Sequence, residues 1–270
     1  MMNPYFITEP QVVSFSGGRT SGFMLWQIIQ AHGGTLPDYV KVVFANTGLE
    51  HPATLQFVQD VSDNMTPVVW VEYINTEEGK HSFREVNYDT ASRNGEPMDA
   101  IITKRNYLPN PVARFCTSET KIRPIQKYIK ATTGWDTWTD LIGLRADEPR
   151  RVHRLKADGK REILCPMYHA GHNLKDVLDF WASMPFDLDL PHKDNAYGNC
   201  VGCFLKGTPK ILRILAEEPD QAGFWIRMEE KIGASFRKDR APYKQLLDMA
   251  TSQGAMDFTA DDLFECNCTD

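Results

Sequence analysis

The chain has 270 residues, 42% of them apolar and 24% charged, with a formal net charge of −6 at pH 7. That size suits one large domain, or one domain with a small appendage, and the apolar content excludes a disordered chain. No run approaches the ~20 uncharged residues of a membrane span, and residues 1–10 lack a basic stretch followed by an apolar core, so the sequence predicts a cytoplasmic protein with no signal peptide and no membrane association.

The first element is a buried strand, Val12-Val13-Ser14-Phe15, followed by a Gly-containing turn and a helix with Met24, Leu25, Ile28 and Ile29 on one face. A second strand is predicted over 40–45, a helix over 52–61 with Pro52 in its first turn, and a third strand over 68–73. Residues 75–115 are polar and broken by Asn94-Gly95, Pro97, Pro109 and Pro111. They read as a long loop with one short helix close to the ligand. A helix over 122–131 and a strand over 140–144 follow, then a second loop over 185–207. Residues 208–249 read as helical, with Ile211, Leu212 and Leu215 in phase. Strands alternating with helices predict an α/β fold, a parallel twisted sheet flanked by helices, with ligands at the carboxyl ends of the strands. The division is placed at 207: a nucleotide-binding unit over 1–207 and a helical C-terminal region over 208–270 with a mobile, Cys-containing tail.

Charge is unevenly spread. Over 104–161 there are 14 Lys/Arg against 6 Asp/Glu, a basic block in an acidic chain. It reads either as a local anion site or as a solvated charged face.

Ser14-Phe15-Ser16-Gly17-Gly18-Arg19-Thr20-Ser21 leaves the first strand and opens the first helix. Two glycines permit close backbone approach, hydroxyls donate hydrogen bonds, and a helix N-terminus offers free N–H groups and positive potential. The Gly-Lys-Ser/Thr ending of a Walker loop is missing. The competing reading is a Gly-rich turn with no ligand.

This segment resembles the SGGxxS loop of the PP-loop ATP pyrophosphatases. Four further segments, in order, resemble the phosphoadenosine-phosphosulfate (PAPS) reductase family within that superfamily. They are Phe44-Ala45-Asn46-Thr47-Gly48-Leu49-Glu50-His51-Pro52, Cys116-Thr117-Ser118-Glu119-Thr120-Lys121-Ile122-Arg123-Pro124-Ile125, Gly143-Leu144-Arg145-Ala146-Asp147-Glu148-Pro149-Arg150-Arg151, and Pro166 with Asp176-Val177 and Phe180-Trp181. The resemblance implies an adenine nucleotide alpha-hydrolase-like fold. Ser14, Ser16, Gly17, Gly18, Arg19, Thr20 and Ser21 would bind phosphate or sulfate, and Asn46, Thr47 and Glu50 would line the nucleotide pocket. Lys121, Arg145, Arg150 and Arg151 would neutralise oxyanions, Arg by its paired hydrogen bonds. Asp147 and Glu148 either orient these arginines or are simple helix-end acids.

The six cysteines are expected as thiols or metal ligands rather than a disulfide frame. Cys200-Val201-Gly202-Cys203 lies in a Gly-flanked loop 84 residues after Cys116. The separation is similar to the CC…CxxC pattern of cluster-containing adenylyl-sulfate reductases, except that Thr117 stands at the second position. The resemblance implies Cys116, Cys200 and Cys203 as ligands, with Cys165 preferred as the fourth and Cys266 and Cys268 competing. A [4Fe–4S] cluster, a structural zinc, a redox thiol pair and inert buried thiols all remain open. Glu265-Cys266 is similar to the C-terminal nucleophile motif of sulfonucleotide reductases, and a frayed terminus with incidental thiols is the alternative. His51, His169 and His172 read as loop or helix-start residues, and Trp135, Trp138, Trp181 and Trp225 as core or rim aromatics.

Three functions follow. In the first, Cys266 attacks a phosphosulfate held by the loop, Lys121 and Arg145, and a thioredoxin-like reductant resolves the product. In the second, the loop binds ATP, which can carry Mg, forms an adenylate with release of pyrophosphate, and sulfur from a donor is delivered through the Cys116/Cys200/Cys203 centre to a nucleic acid or small molecule. In the third, the chain is a non-enzymatic nucleotide-binding regulator with a structural metal. A homodimer is the default assembly.

Overall fold

The computed structural model describes residues 3–155, 161–192 and 194–252. Its centre is a six-stranded sheet in the order β4-β3-β2-β1-β5-β6. The strands are β1 (Gln11–Phe15), β2 (Val40–Asn46), β3 (Val69–Asn75), β4 (His81–Val86), β5 (Trp138–Leu141) and β6 (Arg161–Leu164). All neighbours are parallel except β3 and β4. β1 therefore pairs with β2 on one side and β5 on the other. This is where the strand order reverses, and it leaves a crevice beyond the carboxyl ends of β1 and β5.

Alternate residues of the strands serve opposite faces, as the two-residue period requires. Val13, Phe15, Val42, Phe44 and Trp70 join the main core, which α1 (Arg19–Ala31), α2 (Pro52–Asn64) and α7 (Leu174–Ser183) cover. Val12, Val43, Ala45 and Val71 face the other way, onto Ile125, Tyr128 and Ile129 of α4 (Arg123–Thr133).

The predicted alternation of strands and helices is present, with four differences. The short helix expected within 75–115 is α3 (Glu96–Arg105), but the stretch also holds a strand, β4, which pairs antiparallel with β3 from Trp70↔Val86 to Asn75↔His81. β4 reads His-Ser-Phe-Arg-Glu-Val, and an edge strand needs little apolar content because one face stays wet. The 140–144 strand begins earlier, at Trp138, and a short edge strand, β6, pairs beside it. A π-helical turn, Thr117–Ile122, precedes α4. The 208–249 stretch is three helices, α8 (Thr208–Glu217), α9 (Gly223–Ile232) and α10 (Tyr243–Ser252), interrupted at Pro219 and Pro242, with α5 (Pro149–Val152) and α6 (Pro166–Ala170) as short pieces earlier in the chain. These late helices share a second apolar cluster with α3, Leu49, Cys116, Cys200 and Cys203. No helix among the described residues is long and apolar enough to cross a membrane.

Trp181 locks α7 onto the start of α1. It is 1% exposed, its ring stacks edge-on to Phe57 at 4.8 Å, and its Nε1 donates to the Arg19 carbonyl at 2.8 Å. A Cβ at Gly22 would lie 2.6 Å from this indole, so the helices approach as closely as glycine allows. Trp181→Ala should cost about 3–5 kcal/mol in urea unfolding, and a loss under 1 kcal/mol would contradict this packing.

Candidate nucleotide site

The Ser16–Ser21 loop is shaped by two internal constraints. Gly17 has φ +75°, and a Cβ there would lie 2.8 Å from Thr54 Cγ2, so both backbone sign and space demand glycine. Ser21 is buried and works inside the loop: its Oγ donates to the Gly18 carbonyl at 2.9 Å, accepts from Ser16 N at 3.2 Å, and lies 2.9 Å from Ser16 Oγ. Gly18, the residue before α1, provides no side-chain cap. The first-turn N–H groups of the helix are thus available to an oxyanion.

The crevice has a volume of about 180 Å³. Ser16, Gly17, Gly18, Arg19 and Thr20 form one wall, and Gly143, Arg145, Glu148 and Arg151 from beyond β5 form the opposite one. Arg145 Nη1 lies 3.3 Å from Thr20 Oγ1, joining the two walls across the switch point. A Cβ at Gly143 would meet Ser21 Cα at 3.1 Å, which keeps the β5 exit against the loop. Asp147 and Glu148 orient the arginines: Arg145 Nε donates to Asp147 Oδ1 at 2.9 Å, Glu148 Oε2 lies 3.3 Å from Arg145 Nη1, and Glu148 Oε1 pairs with Arg151. Arg150 lies in α5 next to Arg151 but does not line the crevice.

Arg19 has a role the sequence did not show. Its Nε and Nη2 form a paired contact with Asp187 at 2.6 and 2.9 Å, and Nη2 also reaches the Leu188 carbonyl. It straps the 185–190 segment to the loop. That segment leads to Asn195, Gly198 and Asn199, which roof the crevice, while Leu174, Val177 and Leu178 give it an apolar side. Asn195 and Asn199 have φ of +58° and +56°, a conformation asparagine tolerates better than most residues. Beneath the roof, Lys206 is fully buried and its Nζ donates to the Gly198 carbonyl at 2.7 Å. Only the Asn/Gly content of 194–199 hinted at this turn.

Lys121 does not line the crevice. It sits in the π-helical turn, where its charge, with that of Arg114, works against the burial that raises the Cys116 thiol pKa. Asn46, Thr47 and Glu50 are buried and hydrogen-bonded inward. Asn46 Nδ2 donates to Glu72 Oε1 at 2.6 Å and to the Ser92 carbonyl at 2.9 Å. Thr47 N and Oγ1 donate to the Glu50 carboxylate at 2.8–3.0 Å. Glu72, missed in the sequence, organises this region by accepting from Arg84 at 2.7 Å and Ser92 N at 2.6 Å. Ser14 is half-buried in β1, beneath the loop. His51 caps α2, accepting from Ala53 N at 3.1 Å, and His172 Nδ1 lies 2.6 Å from the Tyr5 hydroxyl.

The cysteines fall into two places. Cys116, Cys200 and Cys203 lie in the second apolar cluster, whereas Cys165 packs with Ile142 and Leu144. Cys165 is therefore separated from the set it was expected to complete. Among the described residues no three His, Cys, Asp or Glu side chains form a group that could hold a metal ion. The four described cysteines do not by themselves form a four-cysteine cluster or zinc site. Cys266 and Cys268 lie outside the described residues. The Cys200–Cys203 loop is nonetheless firmly held. Val201 N donates to the Leu49 carbonyl at 2.7 Å, Trp225 Nε1 to the Val201 carbonyl at 3.0 Å, Tyr243 Oη to the Gly202 carbonyl, and Arg240 to the Phe204 carbonyl at 3.1 Å. Thr47 Oγ1 lies 3.4 Å from Cys200 Sγ.

Burial pushes the Cys165 thiol up to about 11, with Arg151 opposing and Glu148 reinforcing the shift. The neutral thiol is favoured, and thiolate forms only as pH approaches 11. Peptide-resolved alkylation should therefore find Cys165 inert at pH 8 in the folded protein and reactive after unfolding. Fast modification at pH 8 in the folded state would contradict this environment.

The phosphoadenosine phosphosulfate reductase domain family matches residues 10–162. An uncharacterized nin region protein of Escherichia phage lambda is 35% identical over 207 residues, covering 74% of this chain and 67% of the relative. An uncharacterized protein of Methanocaldococcus jannaschii is 24% identical over 212 residues, covering 74% of this chain and 36% of the relative. The matched residues contain the loop, β1 to β5, the π-helical turn and both crevice arginines, and the chain belongs to the phosphoadenosine phosphosulfate reductase domain family.

Proposed function

We propose that this chain is a sulfonucleotide-related enzyme that holds the phosphate or phosphosulfate end of an adenine nucleotide in the crevice between β1 and β5. The observation that carries the reading is the Arg145–Thr20 contact, 3.3 Å across the switch point. It brings a guanidinium, a hydroxyl and the uncapped start of α1 to one small volume. Backbone N–H groups and an oriented guanidinium there stabilise negative charge as it develops on a leaving phosphate. Arg151, held by Glu148, adds a second cation on the same wall. The exposed Leu174 and Leu178 give an apolar surface at the mouth, suited to the base.

In the reductase form of this reading, a Cys266 thiolate attacks the sulfate sulfur. The S–O bond to phosphate breaks, the nucleotide leaves with its phosphate protected by the crevice, and a thiosulfonate forms on Cys266. A second thiol, Cys268 or a thioredoxin-like dithiol, displaces sulfite and leaves a disulfide, so the dithiol supplies the two electrons. A second reading is ATP-dependent adenylation with loss of pyrophosphate. One observation favours it: none of the four described cysteines lines the crevice.

Titration calorimetry with ATP, adenylyl sulfate and PAPS should find binding that Arg145→Ala weakens at least tenfold, about 1.4 kcal/mol. Absence of binding by all three would overturn the nucleotide assignment. Sulfite release with thioredoxin should be lost in Cys266→Ser with binding retained. Binding without sulfite from either sulfonucleotide overturns the reductase form, and ATP–pyrophosphate exchange then tests the adenylating one.

A further inference from the structure

A second concavity lies on the other side of the molecule. It is a groove of about 530 Å³ along α4, lined by Arg123, Gln126, Lys127, Lys130 and Ala131, with Ser82 and Phe83 of β4 on its flank and Trp135, Asp136 and Trp138 at its end. It shares no lining residue with the nucleotide crevice. It takes in three further cations of the basic block, Arg123, Lys127 and Lys130, that the crevice does not use.

The cations sit at positions i, i+4 and i+7 of α4, one helix face spanning about 10 Å. Arg123, Lys127 and Lys130 are all exposed. Two acids pair with them, and a third, the exposed Glu85 of β4, acts on the neighbouring Tyr128. Glu119 is buried and accepts from Arg123 at 2.8 Å, but it is also paired with Arg105 at 2.6 Å, leaving that cluster net positive. Asp136 lies 3.5 Å from Lys130, and its side chain is 88% exposed. Such a pair is worth little in water and yields readily to a stronger anion.

The aromatic groups are fixed in place. Gly134 ends α4 with φ +72° and donates to the Lys130 carbonyl at 3.2 Å, and Trp135 N donates to Thr133 Oγ1 at 3.2 Å. The half-buried Trp135 is therefore presented at the groove by a rigid turn. Phe83 is held edge-on against Tyr128 at 5.8 Å. A row of cations beside recessed aromatic faces matches a polyanion whose planar bases are free to leave a stack. A duplex offers the same phosphates but keeps its bases paired and stacked, away from any aromatic side chain.

We propose that the α4 groove binds single-stranded nucleic acid, with phosphates on Arg123, Lys127 and Lys130 and a base against Trp135. The proposal is independent of the crevice and its reaction. The test is fluorescence anisotropy of a labelled oligodeoxythymidylate of about 15 nucleotides with the full-length protein. Binding should weaken with salt at a log–log slope of about −2, as three neutralised phosphates on a single strand require. Lys127→Glu with Lys130→Glu should weaken it at least tenfold, and Trp135→Ala at least fivefold. Since both lysines are exposed, the double variant should keep the wild-type unfolding midpoint, which separates lost binding from lost fold. No binding at low salt, equal binding by a folded double variant, equal affinity for duplex of the same length, or full displacement by ATP would each overturn the proposal.

Discussion

The structure turns on how closely one backbone turn can sit against the sheet. Gly17 places the loop after β1 directly on Thr54, Val58 and Phe44, with 2.8 Å from an imagined Cβ to the nearest of them. That contact aims the start of α1 into the crevice created by the reversal of strand order around β1. A larger residue or a negative φ would lift the loop and turn its N–H groups away. Everything that follows is built on this position: Ser21 ties the loop to itself, Arg145 closes on it from β5, and Trp181 clamps the helix behind it.

The crevice is preorganised by pairs rather than by isolated charges. Arg145 and Arg151 are held by Asp147 and Glu148, and Arg19 by Asp187. Pairing with fixed carboxylates sets the guanidinium planes before any ligand arrives, which limits the reorganisation that binding requires. Arg19 extends this to the roof. By holding the Asp187 segment it couples the loop to Asn195 and Asn199, while Lys206 supports the same roof from within the protein.

Much of this was readable in the sequence because it depends on local chemistry. A β-branched run ending in Ser-Gly-Gly and followed by a helical face gives a strand, a tight turn and a helix start without a side-chain cap together. The Gly143–Arg151 motif similarly carries its cations and their acids within nine residues. What stayed hidden depends on distance. Nothing in the sequence links Arg19 to Asp187, or separates Cys165 from Cys116, Cys200 and Cys203, since both facts arise from which cluster a segment packs into. β4 was missed because a polar edge strand lacks the apolar run that marks a central one. Lys121 was expected at the loop with Arg145, yet it lies in the π-helical turn and does not line the crevice. The basic block also divides, with Arg145 and Arg151 at the crevice and Arg123, Lys127 and Lys130 along α4.

The C-terminal helices complete the picture. Trp225, Arg240 and Tyr243 each donate to a backbone carbonyl of the segment that contains Cys200 and Cys203, and that segment bridges to Glu50 beyond β2. The helical region thus shapes the loop that carries these two thiols, which follows directly on the crevice residue Asn199. The most direct test of the central claim is amide hydrogen exchange, read by mass spectrometry, with and without an adenine nucleotide. The account predicts slowed exchange in peptides covering 16–22 and 143–151 on nucleotide addition. Slowing confined to other segments, with these two unchanged, would contradict it.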